Sequence, residues 1–230
     1  MLEIIATSVE DAVNAEKGGA GRLEIVRDLS QDGLTPDLEL VKQIYETVNL
    51  PVRVMIRPRD SFTGFSQHEI EQMRAQVKLL SGIGIDGIVI GFLTPEGEPD
   101  EARLKYVLGP QKKIGVTFHR AFDQVTDPIR AMRQFTSHGL VDRVLTSGLA
   151  SSAMQGWKRL AALRGLQNKH LKIIAAGGIN ADNIALLARR TGIKEFHVGR
   201  GCRIPPTEAG IVNVEKVRNI VRALESLDID

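Results

Sequence analysis

The stretch VTFHRAF, Val116–Phe122, begins as a run suited to a buried strand and ends on His119 and Arg120, with Asp123 just beyond. A chain that carries an apolar strand outward to a polar tip is either closing the end of a sheet with a salt bridge or building the lip of a site. The same pattern recurs along the chain. Runs of aliphatic and β-branched residues stand at LEIIA (2–6), RLEIV (22–26), VRVMI (52–56), DGIVIG (86–91), IGVTF (114–118), DRVLT (142–146), LKIIAA (171–176) and EFHVG (195–199). Their starts lie mostly about 20–34 residues apart, the length of a strand plus its crossover helix.

Helix signals fill the gaps. Ser8 with Asp11, and Ser66 with Glu69, read as capping boxes. Thr35–Pro36 and Asp127–Pro128 each read as an N-cap followed by a first-turn proline. Asn180 or Asp182 is the candidate cap for NIALLARR, and VEKVRNIVRALESL closes the chain as a last helix. The glycine pair of EKGGA, and Gly139, Gly165 and Gly192, read as helix terminators. Eight strand–helix units with no Pro/Ser-rich linker predict an α/β fold, a single-domain (β/α)8 TIM barrel spanning residues 1–230, whose closure removes all sheet edges. The alternative is an open doubly wound sheet. Against it, no G-x-G-x-x-G follows the first strand, where Gly18, Gly19 and Gly21 end a helix instead.

Composition excludes several classes of function. Of 230 residues, 43% are hydrophobic and 25% charged, a globular balance. The net charge is only +2 and the aromatic content 4%. Basic pairs such as Lys112–Lys113 and Arg189–Arg190 are too short for a phosphate-tracking stripe, so no nucleic-acid partner is expected. A single cysteine, Cys202, rules out an internal disulfide and any Cys-rich metal site. No apolar run approaches the roughly 20 residues of a membrane span, and no signal peptide is evident. A cytoplasmic protein with no membrane partner is expected.

In a barrel of this kind, chemistry sits at the C-terminal ends of the strands. Most strands carry a polar residue where a plain core would have Val or Leu. Glu3 and Glu24 interrupt the first two, and Arg53, Met55 and Arg57 share one face of the third, with Arg57 toward the rim. His119 ends the fifth and His197 lies inside the eighth. Buried charges need partners, and Arg57 and His119 are the expected ones for the two glutamates. Arg53, lower in the barrel, reads as part of an ion-pair network closing its floor. An acid, a cation and an imidazole from three strand ends make Glu24, Arg57 and His119, with Asp123, the candidate catalytic group. Gly177–Gly178 after the seventh strand and Gly199–Arg200–Gly201 after the eighth let backbone N–H groups approach an anion. With Thr146, Ser147 and His197 they form the expected substrate or phosphate site. The loops RPRDSFTGFSQHE (57–69) and LTPEGEPDE (93–101) are long enough to cover a pocket.

The five histidines show no close metal-ligand spacing, and no metal ligand is assigned. His68, His138 and His170 read as surface residues. A hard-cation site at Glu3, Glu24 and Asp86 stays open. No lysine falls at a strand end, since Lys172 begins its strand, which disfavours Schiff-base chemistry.

SVEDAVNAEKGGAGRLEI, PVRVMIRPR, VTFHRAFD, RVLTSG and the GGI of the seventh strand, in this order over nearly the whole chain, resemble the CutC family, named for copper homeostasis. The resemblance implies a (β/α)8 barrel, a cytoplasmic homodimer, copper as the associated cofactor, and pocket residues at Glu24, Arg57, His119, Asp123 and His197. The chain departs from the family pattern where cysteines typically stand, at Ile5 and Val26, and reads VGRG after EFH. The resemblance therefore implies a copper-homeostasis protein without a thiolate copper site of its own. The residues by themselves suggest an acid–base isomerase, aldolase or lyase acting on a small phosphorylated or carboxylated metabolite. A third reading is a barrel that binds such a metabolite without turnover.

Overall fold

The computed structural model describes residues 1–110 and 114–227, so the Lys112–Lys113 pair lies outside the described residues. Eight parallel strands close into a barrel in sequence order: β1 (Leu2–Ala6), β2 (Arg22–Ile25), β3 (Val52–Met55), β4 (Gly87–Ile90), β5 (Gly115–Phe118), β6 (Arg143–Thr146), β7 (Lys172–Ala175) and β8 (Glu195–Val198). The helices that return the chain are α1 (Val9–Gly18), α2 (Leu38–Thr47), α3 (Gln67–Ile83), α4 (Glu101–Leu108), α5 (Pro128–His138), α6 (Ala153–Arg164), α7 (Ile184–Thr191) and α8 (Val214–Glu225). This is the (β/α)8 barrel that the alternation predicts. No helix among the described residues is long and apolar enough to cross a membrane.

Outward-facing strand residues such as Ile4, Leu23, Val54 and Ile88 pack against the helices in one continuous core. The inward face differs. Ile5, Met55 and Val89 form a small apolar layer with Val26 and Leu29, and Leu145, Ile174 and Ala176 form another.

Below these layers lies the floor network, more extensive than the sequence suggests. Arg22 Nε binds Glu3 at 2.5 Å and its Nη2 binds Glu195 at 3.0 Å. Glu195 also takes Arg143 Nε at 2.8 Å, and Arg143 reaches Asp142 at 2.6 Å. Asp142 grips Arg53 with both oxygens, at 2.8 and 2.6 Å, while Arg53 Nε reaches Asp86 at 3.1 Å. The guanidinium of Arg53 fits because strand residue 115 has no side chain: a Cβ there would stand 2.4 Å from Arg53 Nη2. Glu3 is thus matched by Arg22 and His197, not by Arg57 and His119 as expected.

Most caps fall where the sequence puts them. Ser66 and Glu69 form a complete capping box, and Asp127 caps α5 with Pro128 in its first turn. Ser8 accepts from Asp11 N–H at 3.1 Å, but the Asp11 carboxylate faces Arg203 at 2.8 Å instead of closing a box. Thr35 does not cap α2, because its hydroxyl accepts from Arg57 N–H at 2.8 Å and ties the β3 loop to the β2 loop. Asn183, not Asn180 or Asp182, precedes α7. Gly19, Gly139 and Gly192 end their helices in the left-handed conformation, whereas Gly165 ends α6 right-handed. The sequence assigns nothing to 203–212. There a two-stranded antiparallel pair, β9 (Arg203–Ile204) and β10 (Ile211–Val212), is anchored by the buried Arg203–Asp11 pair.

Candidate functional site

A cavity of about 560 Å³ opens at the C-terminal ends of the strands. Its apolar floor includes Ile5, Met55, Leu145 and Ala176, and above these Glu24, Arg57, His119 and His197 all line it. Four strands therefore deliver one carboxylate, one guanidinium and two imidazoles to one enclosed volume. The sequence-predicted group is brought together.

Each side chain is fixed by a distinct local cause. Glu24 sits between Leu23 and Ile25, whose side chains belong to the outer core, so strand alternation turns the carboxylate inward. It is 2% exposed. Its Oε2 lies 3.5 Å from His197 Nε2, while its Oε1 is buried without a hydrogen-bond partner among the described residues. Burial pushes the Glu24 carboxyl up to about 7; the nearby His197 opposes that rise and the negative charge of Glu3 adds to it.

His197 is held between two carboxylates, with Nδ1 2.7 Å from Glu3 Oε1. Burial draws the imidazole down, but Glu24 and Glu3 more than restore it, leaving it above its ordinary value. Glu3 itself is pushed up by burial and pulled further down by Arg22 and His197, so it stays ionised, well below the usual carboxylate range. The result is a linear relay, Glu24–His197–Glu3–Arg22, running from cavity to floor.

His119 behaves in the opposite way. Burial, reinforced by the Arg57 charge, lowers it to about 3, so it is neutral at physiological pH. It N-caps the short 3-10 turn Arg120–Gln124, and its Nδ1 accepts from Ala121 N–H at 3.2 Å. That bond assigns the ring proton to Nε2. No acceptor among the described residues takes Nε2–H.

Arg57, 3% exposed, donates from Nη1 to Gln31 O at 2.6 Å and Gly33 O at 3.0 Å, and pairs with Asp60 through Nη2. Its Nε is buried and unpartnered among the described residues. The Phe62 ring lies 5.0 Å from both the Arg57 guanidinium carbon and the centre of the His119 ring. Of the two long loops, 57–69 reaches the cavity through Phe62, with Phe65 packed edge-on against Phe92. No residue of 93–101 lines it.

The glycine turns meet the same cavity, which Gly177, Gly178, Ile179, Gly199, Arg200 and Gly201 all line. Among the described residues none of their backbone N–H groups is taken by a protein acceptor. Gly201 has a packing reason as well, since a Cβ there would stand 2.1 Å from Ile179 O. Arg200 leans on Leu29 O at 2.8 Å and stands 3.5 Å from Asp32 and Glu208.

Three expectations are corrected. Thr146 and Ser147 are fully buried and do not line the cavity: Leu145 faces it, Thr146, one residue on, faces away, and the Ser147 hydroxyl is held by Asp123 at 2.9 Å and Ala150 O at 2.5 Å. Both serve Asp123: Thr146 Oγ1 donates to it at 2.5 Å and Ser147 N–H at 3.0 Å. Asp123 borders the cavity, but its carboxylate also takes Leu149 N–H at 3.1 Å and Arg120 Nε at 2.8 Å, leaving no lone pair for chemistry. It clamps a turn in which Gly148 and Leu149 both have positive φ, 75° and 56°. Asp123→Asn places a donor against these donors, so a loss of about 2–3 kcal/mol in denaturant unfolding is expected. An unchanged midpoint would return Asp123 to the list of catalytic candidates. Finally, Glu3, Glu24 and Asp86 do not gather a cation site. Asp86 is held at the floor by Arg53, and Glu3 is spent on Arg22 and His197.

The sequence reading missed Arg22, Asp142, Arg143 and Glu195 as network members and Asn180 as a cavity residue. For Arg22 and Glu195 the available signal was a charge at the first position of an apolar strand.

Copper does not suit these donors. Copper(I) favours thiolate and thioether ligands. Cys202 is sealed, its Sγ 3.2 Å from Gly199 O, and burial pushes its thiol up to about 12. Among the described residues Met55 is the one thioether lining the cavity. Among the described residues no three His, Cys, Asp or Glu side chains come together in a way that could hold a metal ion.

Comparison with known proteins agrees with the fold. Residues 1–202 match the model of the CutC family. A human copper homeostasis protein cutC homolog is 39% identical over 197 residues, 86% of this chain and 72% of that protein. The crystal structure of a CutC protein from Streptococcus agalactiae superposes with a TM-score of 0.81 at 26% identity, covering 86% of this chain and 97% of that one. Phosphoribosylanthranilate isomerase from Thermotoga maritima shares the barrel, with a TM-score of 0.66 at 14% identity and 98% of each chain covered.

Proposed function

The chain belongs to the CutC family, and on that premise we propose that it is an acid–base enzyme acting on a small anionic metabolite at the mouth of its barrel. The carrying observation is the unpartnered Glu24 oxygen, buried at the wall of the cavity. A buried acceptor left empty costs free energy, and such a cost is tolerated where a ligand fills it. A carboxyl at about 7 is matched to proton transfer at neutral pH.

The roles follow from the protonation states. Glu24 is the proton-transfer group and the His197–Glu3 relay tunes it. His119, neutral and donating from Nε2, is the electrophile. The six unspent N–H groups of the β7 and β8 turns, with Arg200, form the site for the phosphate or carboxylate. No step is routed through copper. The copper homeostasis named in the relatives is carried here by no donor set of the described residues. A cytoplasmic homodimer is part of the same proposal, testable by sedimentation of the purified chain.

Binding of inorganic phosphate, followed by ³¹P NMR, tests the anion site. Saturable binding is expected, weakened about 5–10-fold in Arg200→Ala, as for loss of one charge-assisted contact at a half-exposed position. Phosphate that fails to bind overturns the anionic-substrate reading. Binding without any turnover across candidate metabolites favours the sensor reading.

A further inference from the structure

Resting on the acid–base reading above, we infer that the substrate is an α-hydroxy carbonyl compound bearing a terminal phosphate, an aldose or ketose phosphate, and that the reaction is a proton shift between its first two carbons. The inference comes from the number and kind of vacant groups. Among the described residues that line the cavity, Glu24 Oε1 and Arg57 Nε–H are buried without a partner, and His119, whose Nδ1 accepts from Ala121 N–H, keeps its Nε2–H free of a protein acceptor. Two donors at the ends of β3 and β5, both against the Phe62 ring, call for two oxygens, and one carboxylate calls for one mobile proton. A simple ketone offers only one oxygen; a vicinal hydroxy carbonyl offers both.

The electrophile narrows the choice further. Among the described residues no lysine lines the cavity, and the carbonyl is taken to be activated by hydrogen bonding and not as an iminium ion. A neutral imidazole N–H is closer in acidity to an enediolate oxygen than an imidazolium is, and is therefore suited to share a proton with it. Backbone donation to Nδ1 fixes that tautomer. Phe62 covers both donors, which keeps water from competing for the oxyanion.

The step balances without a co-reactant. The Glu24 carboxylate takes the proton from the carbon bearing the hydroxyl, breaking the C–H bond. That electron pair becomes the C=C bond, and the carbonyl π pair moves onto oxygen, where His119 N–H and Arg57 hold it. Glu24, now a carboxylic acid, returns the proton to the neighbouring carbon. The hydroxyl proton moves to the first oxygen and the carbonyl is rebuilt one carbon along. The phosphate rests throughout on the β7 and β8 turns, and about 560 Å³ accommodates a chain of three to six carbons.

The experiment places the full chain in D₂O with glyceraldehyde 3-phosphate, ribose 5-phosphate and glucose 6-phosphate separately, and follows the C2–H signal by ¹H NMR. Methyl riboside 5-phosphate, which keeps the phosphate but has no free carbonyl, is the control. Deuterium entering at C2 of at least one aldose phosphate, at least 100-fold faster than with Glu24→Gln, is expected. If no aldose phosphate exchanges although the riboside binds by ³¹P NMR, the substrate inference is overturned while the anion site stands. If neither binds, the anionic-metabolite reading falls with it.

Discussion

Glu24→Gln is expected to lower turnover about 10³-fold and, at the same time, to make the protein more stable above pH 7. The first effect is the loss of the proton-transfer group, which typically supplies 10²–10⁴-fold. The second follows from linkage. The Glu24 carboxyl lies at about 7 in the folded protein, against about 4.3 in an unfolded chain. A group raised on folding favours the fold below the unfolded value and withdraws that support as pH rises through the folded one. Between about pH 4 and 7 the wild-type chain therefore loses stability that a neutral Gln does not lose. A gain of about 1–3 kcal/mol at pH 8, read as a higher denaturant midpoint, is the expected size. A merely structural Glu24 gives the opposite result, with the Gln variant less stable at every pH.

The same assignment sets the pH profile. Glu24 must be ionised to accept a proton, so kcat/KM should rise through about pH 7 and level off. His119, at about 3, contributes no limb in the neutral range. A rate that falls instead through pH 7 would mean that the working form of Glu24 is the acid.

Much of this was legible in the strands. An acid or arginine inside an aliphatic run can only face the barrel interior, because the other face packs on helices; Glu24, Arg53 and Arg57 were readable for that reason. Partner choice was not. Arg53 finds Asp142 across 89 positions of sequence, through strand stagger and the space left at Gly115. The tautomer of His119 depends on one backbone N–H two residues later, and no side-chain identity announces it. Thr146 and Ser147 misled because a polar strand end resembles a ligand-facing one. Register parity, and the donors Asp123 needs to hold Leu149 at positive φ, decide otherwise.

Arg22→Met tests the floor of the barrel, and about 3–5 kcal/mol of destabilisation at pH 7 is expected. Arg22 and Glu3 are 2% and 1% exposed, so water cannot replace the lost cation. Glu3 would keep only His197 as a partner, and the carboxylate that Arg22 now holds ionised would be buried with half its compensation. The effect should depend on acid in a definite direction. A carboxyl held below its unfolded value supports the fold fully above about pH 4.3 and loses that support as pH falls toward the folded value. The gap between wild type and variant is therefore widest near neutrality and narrows below about pH 4. Removing both charges, Arg22→Met with Glu3→Leu, should recover at least half of the single-variant loss, because no buried ion is then left alone. A single variant costing under about 1 kcal/mol, or a gap that widens in acid, would show that Glu3 is stabilised by something other than Arg22. The relay to Glu24 would then lack its fixed end.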